Sequence, residues 1–234
     1  MLLSINENLD KKELMASVKS VYNTIYTEHD YHPTNSTGCW SIVTRVFPKF
    51  KEALDVGCGI GYGISGARAK RLNVYGCDIA DLRRFWKELH IEDYCQVAPA
   101  HSMPYKTGRF DVVVCSDVLE HIPEKMVLDT LKEIRRVGSM NFFFHICSHI
   151  ENSVGNLYDK GVCLLHITIK SGDWWREKLE EAGFNVLGMN TYDNEPGLFD
   201  FTASKEKSLV EVKKINFAIG NKPLHLATNK IGRN

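Results

Sequence analysis

The sequence predicts an α/β fold in which a mostly parallel sheet carries helices on both faces. Apolar, strand-like segments alternate with helix-like segments between residues 53 and 147, and this alternation is typical of parallel sheets. The first strand, Ala53–Val56, also runs directly into a turn with glycine at positions 57, 59, 61 and 63. A strand, a glycine-rich turn and a helix in that order form a nucleotide-sized crevice at the carboxyl edge of a sheet.

Each element follows from a local pattern of residues. Leu14, Val18 and Val21 recur at helical spacing, which predicts a helix over residues 10–28, and a second short helix is expected over 40–46. Strands are predicted over 53–56, 73–77, 94–97, 111–118 and 141–147, with helices over 61–70, 81–89 and 123–136 between them. Ser171 is expected to cap a helix over 173–182, and strands near 184–191, 198–204 and 209–219 then complete the sheet with antiparallel pairing.

The length of 234 residues fits a single α/β domain. We divide this domain into an N-terminal helical cap over residues 1–50, a catalytic core over 51–220 and a tail over 221–234. The tail has few large apolar residues, so we expect it to fray.

The composition bears on whether the protein binds nucleic acid, whether it spans a membrane and in which cellular compartment it works. Lysine plus arginine equals aspartate plus glutamate at 29 each, so a nonspecific grip on nucleic acid is disfavoured. The seven cysteines are odd in number and form no Cys-x-x-Cys pair, which favours free thiols in a reducing compartment. No apolar run approaches the ~20 residues that a membrane span needs. We therefore expect a cytoplasmic protein without a membrane span.

Acidic residues stand where the predicted strands end. Asp55 lies just before the first glycine of the turn, where a carboxylate can meet a cationic ligand group. Asp78 ends the second strand, about twenty residues beyond the turn, where an acid can accept hydrogen bonds from ribose hydroxyls. The apolar strand that begins at Phe110 ends in Ser116 and Asp117, and its polar end should reach the same crevice.

In these blocks the chain resembles the class I S-adenosylmethionine-dependent methyltransferases, over about residues 50 to 190. The resemblance is carried in order by Leu54-Asp55-Val56-Gly57-Cys58-Gly59-Ile60-Gly61, Asp78, Met103-Pro104-Tyr105, Phe110-Asp111-Val112-Val113-Val114 and Leu119-Glu120-His121-Ile122, with a weaker block at Leu179-Glu180-Glu181-Ala182-Gly183-Phe184. It implies a Rossmann-like, mostly parallel seven-stranded sheet with the last strand or strands antiparallel. It also implies S-adenosyl-L-methionine as the cofactor, with S-adenosyl-L-homocysteine as the product.

The resemblance further implies a set of cofactor-binding residues. They are Asp55, Gly57, Cys58, Gly59, Gly61, Asp78, Ile79, Ala100, His101, Ser116 and Asp117. The glycine turn would pack against the methionine part, Asp55 would lie near its amino group, and Asp78 would hold the ribose. Ala100 and His101 would line the adenine, while Ser116 and Asp117 would lie beneath the sulfonium. The chain departs from the family at Pro99, where many members carry an acid that binds the adenine amino group.

The acceptor side is predicted from histidines and aromatic residues near the same edge. An oxygen or nitrogen nucleophile often needs a general base, and histidine suits neutral pH, so His166 or His149 is the predicted catalytic base. The predicted substrate-binding residues are Tyr22, Tyr26, Trp40, His121 and His145, although the aromatic residues also suit helix packing, His121 a turn cap and His145 a core position. His145, His149, Glu151 and His166 are an alternative metal-ligand set, since imidazole and carboxylate suit several divalent ions, but no tight ligand spacing supports it and no metal is predicted.

The favoured function is O-methylation of a small molecule or a saccharide. Methylation of a protein or an RNA is an alternative, and so is a catalytically silent, cofactor-binding interaction subunit. The intact turn at Gly57–Gly61 and the acid at Asp78 argue against the silent subunit.

Overall fold

The computed structural model describes residues 9–28, 36–148, 165–192, 197–205, 217–219 and 222–227. Within these ranges the strands are β1 Ala53–Val56, β2 Val74–Asp78, β3 Cys95–Val97, β4 Phe110–Ser116, β5 Gly138–Cys147, β6 Asn185–Thr191, β7 Leu198–Ser204, β8 Phe217–Ile219 and β9 Lys222–Ala227. The helices are α1 Lys11–Glu28, α2 Ser36–Val46, α3 Tyr62–Ala69, α4 Arg83–Glu88, α5 Glu124–Val137 and α6 Gly172–Glu181, with single 3₁₀ turns at Glu92–Tyr94 and Leu119–His121.

The strands form one sheet in the order β3-β2-β1-β4-β5-β7-β6-β9-β8. Strands β3, β2, β1, β4 and β5 are parallel neighbours, whereas β7 runs antiparallel to both β5 and β6. The predicted mostly parallel, seven-stranded sheet with antiparallel pairing at its end is therefore confirmed, and β9 and β8 extend it beyond β6. The chain leaves β1 toward β2 and returns through β4, so a ligand crevice is expected at the carboxyl ends of β1 and β4.

Helices cover both faces because the central strands are apolar on both faces. In β4, Val112 and Val114 belong to the core under α2, α3 and α4, while Val113 and Cys115 belong to the core under α5 and α6. Helix α1 contributes to both cores, since Leu14 and Val18 pack with α5 and Ile25 packs with α2 and α3. The predicted N-terminal cap therefore joins the two faces of the sheet.

The structure differs from the sequence prediction near the C-terminus. Residues 222–227, predicted to fray, form β9 and pair with β6 through Met189–Thr191. The reason is that strand β6 offers an open backbone edge, and pairing with an edge needs hydrogen-bonding groups rather than large apolar side chains. The strand predicted over 209–219 is confined to Phe217–Ile219 within the described residues.

None of the helices in the described ranges combines the length and the apolar character that a membrane span requires.

Candidate active site at the carboxyl edge of the sheet

The turn after β1 needs glycine for both backbone and space. Gly57, Gly59 and Gly61 have φ angles of 74°, 53° and 93°, in the left-handed region that other residues adopt at a cost. A Cβ at Gly57 would lie 2.2 Å from Val118 Cγ2, and one at Gly61 would lie 2.3 Å from Ile91 Cδ1. The turn is thus closely packed against Val118 and Ile91.

Asp78, at the end of β2, is bonded to this turn. Its Oδ2 accepts a hydrogen bond from the Gly59 amide at 2.9 Å, and its Oδ1 accepts one from the Ala80 amide at 2.9 Å. Burial raises the pKa of Asp78 to about 6, although the backbone hydrogen bonds oppose this shift. A carboxylate has about four acceptor positions and the amide of Ile79 also bonds to Asp78, so Asp78 retains capacity for a ligand hydroxyl.

Asp55, at the end region of β1, is buried and contacts the cap. Trp40 Nε1 of α2 donates a hydrogen bond to Asp55 Oδ2 at 3.3 Å. Burial raises the pKa of Asp55 to about 7, the Trp40 bond opposes that shift, and the charge of Asp78 adds to it. Trp40 is predicted from the sequence to bind substrate, and in the structure its indole nitrogen donates a hydrogen bond to Asp55.

A groove of about 490 Å³ lies between the first half of α1 and the loops that follow β2 and β3. Ile79, Pro99 and His101 line it, and the cofactor-binding role of Ile79 and His101 stays a prediction. His101 Nδ1 is buried and makes no hydrogen bond among the described residues. Burial lowers the pKa of His101, so the ring is a neutral donor or acceptor. Ala100 packs instead against the core under α5.

The end of β4 forms a short chain of polar contacts with the cap. Cys39 Sγ of α2 lies 3.1 Å from Ser116 Oγ, and Ser116 Oγ donates to Asp117 Oδ2 at 2.9 Å. Asp117 has a φ of 53°, and its amide donates to the carbonyl of His145 at 2.9 Å. Asp117 is thus held by Ser116 and by the backbone of His145 in a conformation that is costly for a residue other than glycine.

His145 belongs to a polar row that crosses three strands. The register pairs it with Ser116 on β4 and with Asp200 on β7. His145 Nδ1 donates to Asp200 Oδ1 at 2.5 Å, and Tyr192 Oη donates to Asp200 Oδ2 at 2.6 Å. His145 Nε2 lies 3.8 Å from Asp117 Oδ1, which is too far for a hydrogen bond.

The charges around His145 decide its protonation. Burial alone would lower the pKa of the ring, but the hydrogen bond to Asp200 and the charges of Asp200, Asp117 and Glu120 outweigh it and raise the pKa to about 9. At neutral pH the ring is therefore mostly an imidazolium.

Glu120, His121 and His166 form a second, more deeply buried group. His121 Nδ1 donates to the Leu165 carbonyl at 3.0 Å, and its ring centroid lies 4.6 Å from that of His166. Burial, followed by the neighbouring His166, lowers the pKa of His121 to about 3. Burial raises the pKa of Glu120 to about 8, and the charge of Asp117 adds to this shift. Tyr22 of α1 stands edge-on over His121, with 5.9 Å between ring centroids.

The structure brings most of the predicted residues to one edge of the sheet. Cys58 is a partial exception, because its side chain points toward β2, where a Cβ at Gly76 would lie 2.7 Å from Cys58 Sγ. Tyr26 lies over the turn, with its hydroxyl 3.0 Å from the position of a Cβ at Gly59. His149 and Glu151 lie outside the described residues.

Four residues of the site were not predicted from the sequence. Asp200 lies between Phe199 and Phe201 in an apolar strand. Because burying an unpaired acid is costly, a single acid in such a strand indicates a polar partner, and this signal could have identified Asp200. Glu120 lies within the Leu-Glu-His block, but its burial has no sequence signal of its own. Cys39 and Tyr192 reach the site only through packing, and nothing in the surrounding sequence indicates it.

Comparisons with known proteins agree with this architecture. Residues 54–141 match the family described as "Methyltransferase domain". The ubiquinone biosynthesis O-methyltransferase of Pseudomonas aeruginosa is 37% identical over 81 residues, which cover 32% of this chain and 34% of that protein. The protein of the same name from Marinobacter nauticus is 30% identical over 146 residues, which cover 58% of this chain and 59% of that protein. The chain thus matches only part of the length of these relatives.

Solved structures share the fold at low sequence identity. The 1,6-didemethyltoxoflavin-N1-methyltransferase of Burkholderia thailandensis, solved with 1,6-didemethyltoxoflavin and S-adenosylhomocysteine, gives a TM-score of 0.61 at 14% identity and covers 83% of this chain and 88% of that one. A SAM-dependent methyltransferase of Thermotoga maritima gives a TM-score of 0.54 at 15% identity, covering 80% and 99%. From the strand order, the glycine turn and these matches, we conclude that residues 54–141 are similar to the methyltransferase-domain family and that the chain has the Rossmann-like fold of these methyltransferase structures.

Proposed function

We propose that this protein is an S-adenosylmethionine-dependent methyltransferase that methylates an oxygen atom of a small molecule or a saccharide. The observation that carries the proposal is that the glycine turn, Asp78 and the Asp200-bound His145 all lie at the carboxyl ends of strands in the parallel part of one sheet. The partial relatives named as O-methyltransferases support oxygen as the acceptor atom.

The residues at the ends of β1, β2 and β3 fit the cofactor. The bare backbone of Gly57–Gly61 would receive the methionine part, Asp78 would accept bonds from the ribose hydroxyls, and Asp55 would face the amino group. Ile79 and His101 would hold the adenine in the groove beside α1, where the buried His101 Nδ1 offers a polar partner that the base can use. The cofactor supplies an activated methyl group on a sulfonium, so the chain has mainly to align the acceptor.

His145 is the described histidine whose contacts best suit proton transfer from the acceptor. Asp200 binds the Nδ1 hydrogen and leaves Nε2, which lies 3.8 Å from Asp117 Oδ1, as the ring nitrogen that can take a proton, which is the arrangement of an oriented general base. Only the neutral ring accepts a proton. With a pKa of about 9, that form is the minority at neutral pH, and methyl transfer should quicken as pH rises toward about 9. Asp200, Asp117 and Glu120 are the charged groups that set this value.

His166, the base predicted from the sequence, can be tested in the same assay. It is buried against His121, at 8% exposure, with 4.6 Å between the two ring centroids. Loss of the alkaline rise in His166→Ala would support the sequence-based prediction. If His166→Ala instead lowers the rate without changing the pH profile, His166 acts at the site in some way other than proton transfer.

The proposal is tested by binding and then by turnover. Calorimetry with S-adenosylhomocysteine should show one site per chain. Incubation with a labelled methyl donor and pooled hydroxyl-bearing metabolites should then yield a product whose label is on oxygen, as mass spectrometry can determine. Binding without turnover on any extract would favour the silent subunit. Label on nitrogen, protein or RNA would refute O-methylation of a small acceptor.

We also propose that the reaction takes place in the cytoplasm and involves no nucleic acid. The formal net charge is zero, and the described cysteines are all free thiols, which suits a reducing compartment. Cell fractionation with an antibody to the protein would test the location, since recovery in a secreted or envelope fraction would contradict it.

A further inference from the structure

We propose that Glu120, His121 and His166 bind a divalent transition-metal ion, with Zn²⁺ as the best-matched species. A carboxylate oxygen of Glu120 and one ring nitrogen from each histidine all lie within 4.8 Å of one another. All three residues are buried, with exposures of 0%, 8% and 8%. This site shares only His166 with the set of His145, His149, Glu151 and His166 considered in the sequence, and it adds Glu120 and His121.

The hydrogen bond on His121 prepares its other nitrogen for a metal. A carbonyl oxygen can only accept, so Nδ1 must carry the hydrogen in the contact with the Leu165 carbonyl at 3.0 Å. A neutral ring in this tautomer has its lone pair on Nε2. Metal-binding histidines commonly donate their remaining N–H to a carbonyl or a carboxylate, which fixes the ring orientation.

Glu120 provides the second observation. Its Oε1 accepts a hydrogen bond from the Cys147 amide at 2.8 Å, whereas its Oε2 is buried and has no hydrogen-bond partner among the described residues. A buried carboxylate oxygen without a partner is costly, and such groups generally have an explanation in a bound ion or water. A cation between this oxygen and the two imidazoles would satisfy it.

The segment that carries His166 is held rigidly against the turn that carries the other two groups. The amides of Ile167 and Thr168 both donate to the Glu120 carbonyl at 2.9 Å. The hydroxyl of Thr168 donates to the Ile122 carbonyl at 2.6 Å. Residues more than forty positions apart are therefore fixed to one another by backbone contacts, as a metal site with little reorganisation requires.

Two imidazoles and one carboxylate are the ligand set of several catalytic zinc sites, which keep a fourth position open. Mg²⁺ and Ca²⁺ prefer oxygen ligands, so nitrogen ligands select against them. Asp117 and Cys147 form an alternative group with Glu120. We favour the histidines because both are buried and because the Leu165 contact already orients one of them.

An ion at this site would have a role in the reaction if the proposed function holds. The Leu119–His121 turn follows the end of β4, and Val118, just before it, packs against Gly57 of the cofactor turn. An acceptor hydroxyl bound at the open position would become more acidic and would release its proton more readily, for which His145 is the nearby base. No oxidation or reduction is involved.

The test starts from the full chain, treated with a chelator and then with Zn²⁺ or Mg²⁺. We expect one Zn²⁺ per chain by elemental analysis, a rise in melting temperature on adding Zn²⁺, and no such rise with Mg²⁺. X-ray absorption should show two imidazole nitrogens and oxygen at about 2.0–2.2 Å. Glu120→Gln and His166→Ala should each weaken Zn²⁺ binding by more than about a hundredfold, because even outer residues of such sites contribute tenfold to hundredfold.

The matched control is His90→Asn, which alters an exposed histidine at a positive φ that asparagine tolerates. Retention of Zn²⁺ affinity in folded Glu120→Gln and His166→Ala would overturn the site, and so would failure of the folded wild type to bind Zn²⁺. Loss of binding in Cys147→Ser alone would move the ion to the alternative group. Zn²⁺ binding without methyl transfer would refute the proposed function and leave the metal site standing.

Discussion

The cofactor side of the site, at the ends of β1 and β2, is shaped mainly by backbone, whereas the acceptor side, at the ends of β4, β5 and β7, is shaped by side chains. On the first side, Gly57 and Gly59 lie in a tight turn that Asp78 holds through an amide hydrogen bond. On the second side, His145 depends on Asp200, which in turn contacts Tyr192. The comparison teaches that the first half is fixed by local backbone geometry, whereas the second half depends on contacts between side chains from distant strands.

The largest expected effect is on the acceptor side, at His145. Because general-base removal typically costs about 10²–10⁴ in rate, His145→Ala should lower kcat by that amount while cofactor affinity stays near the wild-type value. Steady-state kinetics and calorimetry together measure this split. Equal losses of cofactor affinity and of rate would show that the two halves are not separable.

Asp200→Asn tests the acceptor side further, through the pKa of His145. The substitution removes a charge that raises the pKa of His145, so the alkaline rise in rate should move below its wild-type position near pH 9. A merely structural role for Asp200 would lower the rate without shifting the pH profile. Activity measured between about pH 6 and pH 10 distinguishes the two outcomes.

The next effect concerns the backbone of the cofactor side. Gly57→Ala should destabilise the protein by about 2–5 kcal/mol, because alanine is strained at positive φ and its Cβ would overlap Val118. Gly66→Ala in α3 is the matched control, since a Cβ there has no neighbour within 4 Å. It should stabilise the helix by about 0.5–1 kcal/mol. Denaturant unfolding measures both, and similar effects at the two positions would contradict the packing of the turn.

Asp78→Ala tests ligand binding on the cofactor side. Loss of hydrogen bonds to a charged group costs on the order of 1.5–3 kcal/mol, so affinity for S-adenosylhomocysteine should fall roughly tenfold to hundredfold. Circular dichroism would show whether the fold is kept, since Asp78 also binds the Gly59 amide. Wild-type affinity in a folded variant would refute the ribose assignment.

The smallest expected effect is the pH dependence of stability that Asp55 causes. The folded-state pKa of Asp55 is raised from 3.8 to about 7, mainly by burial, with Asp78 as the neighbouring charge and Trp40 as the opposing donor. The folded state thus holds this proton more tightly than the unfolded state does. The contribution of this protonation to the free energy of unfolding is fully present below the pKa of Asp55 in the unfolded state. It is lost as the pH rises through the pKa of Asp55 in the folded state.

Asp55→Asn removes this titration and keeps an oxygen for Trp40. The melting temperature of the variant minus that of the wild type should therefore increase as the pH rises from about 4 to about 7. Parallel curves for the two proteins over that range would show that Asp55 is already ionised in the fold.

Several elements of the fold and site were readable from local sequence because their causes are local. The turn after β1 is predicted by four glycines at every second position, and Asp78 follows about twenty residues later, as expected for an acid at the end of the second strand. The bounds of α1 and α5 agree with the helical periodicity to within a residue or two. Strand β9 could not be predicted, since its residues gain their order from the open edge of β6 rather than from their own composition.

The sequence by itself determined the alternating fold and the glycine turn after β1, and it named His121, His145 and His166 as candidates for the site. Only the tertiary structure decided how those histidines are used, because their partners come from distant parts of the chain. Asp200 lies 55 residues from His145, and the Leu165 carbonyl lies 44 residues from His121. Local periodicity carries no information about such pairings. They arise from strand register and from the packing of residues 165–168 on the turn after β4.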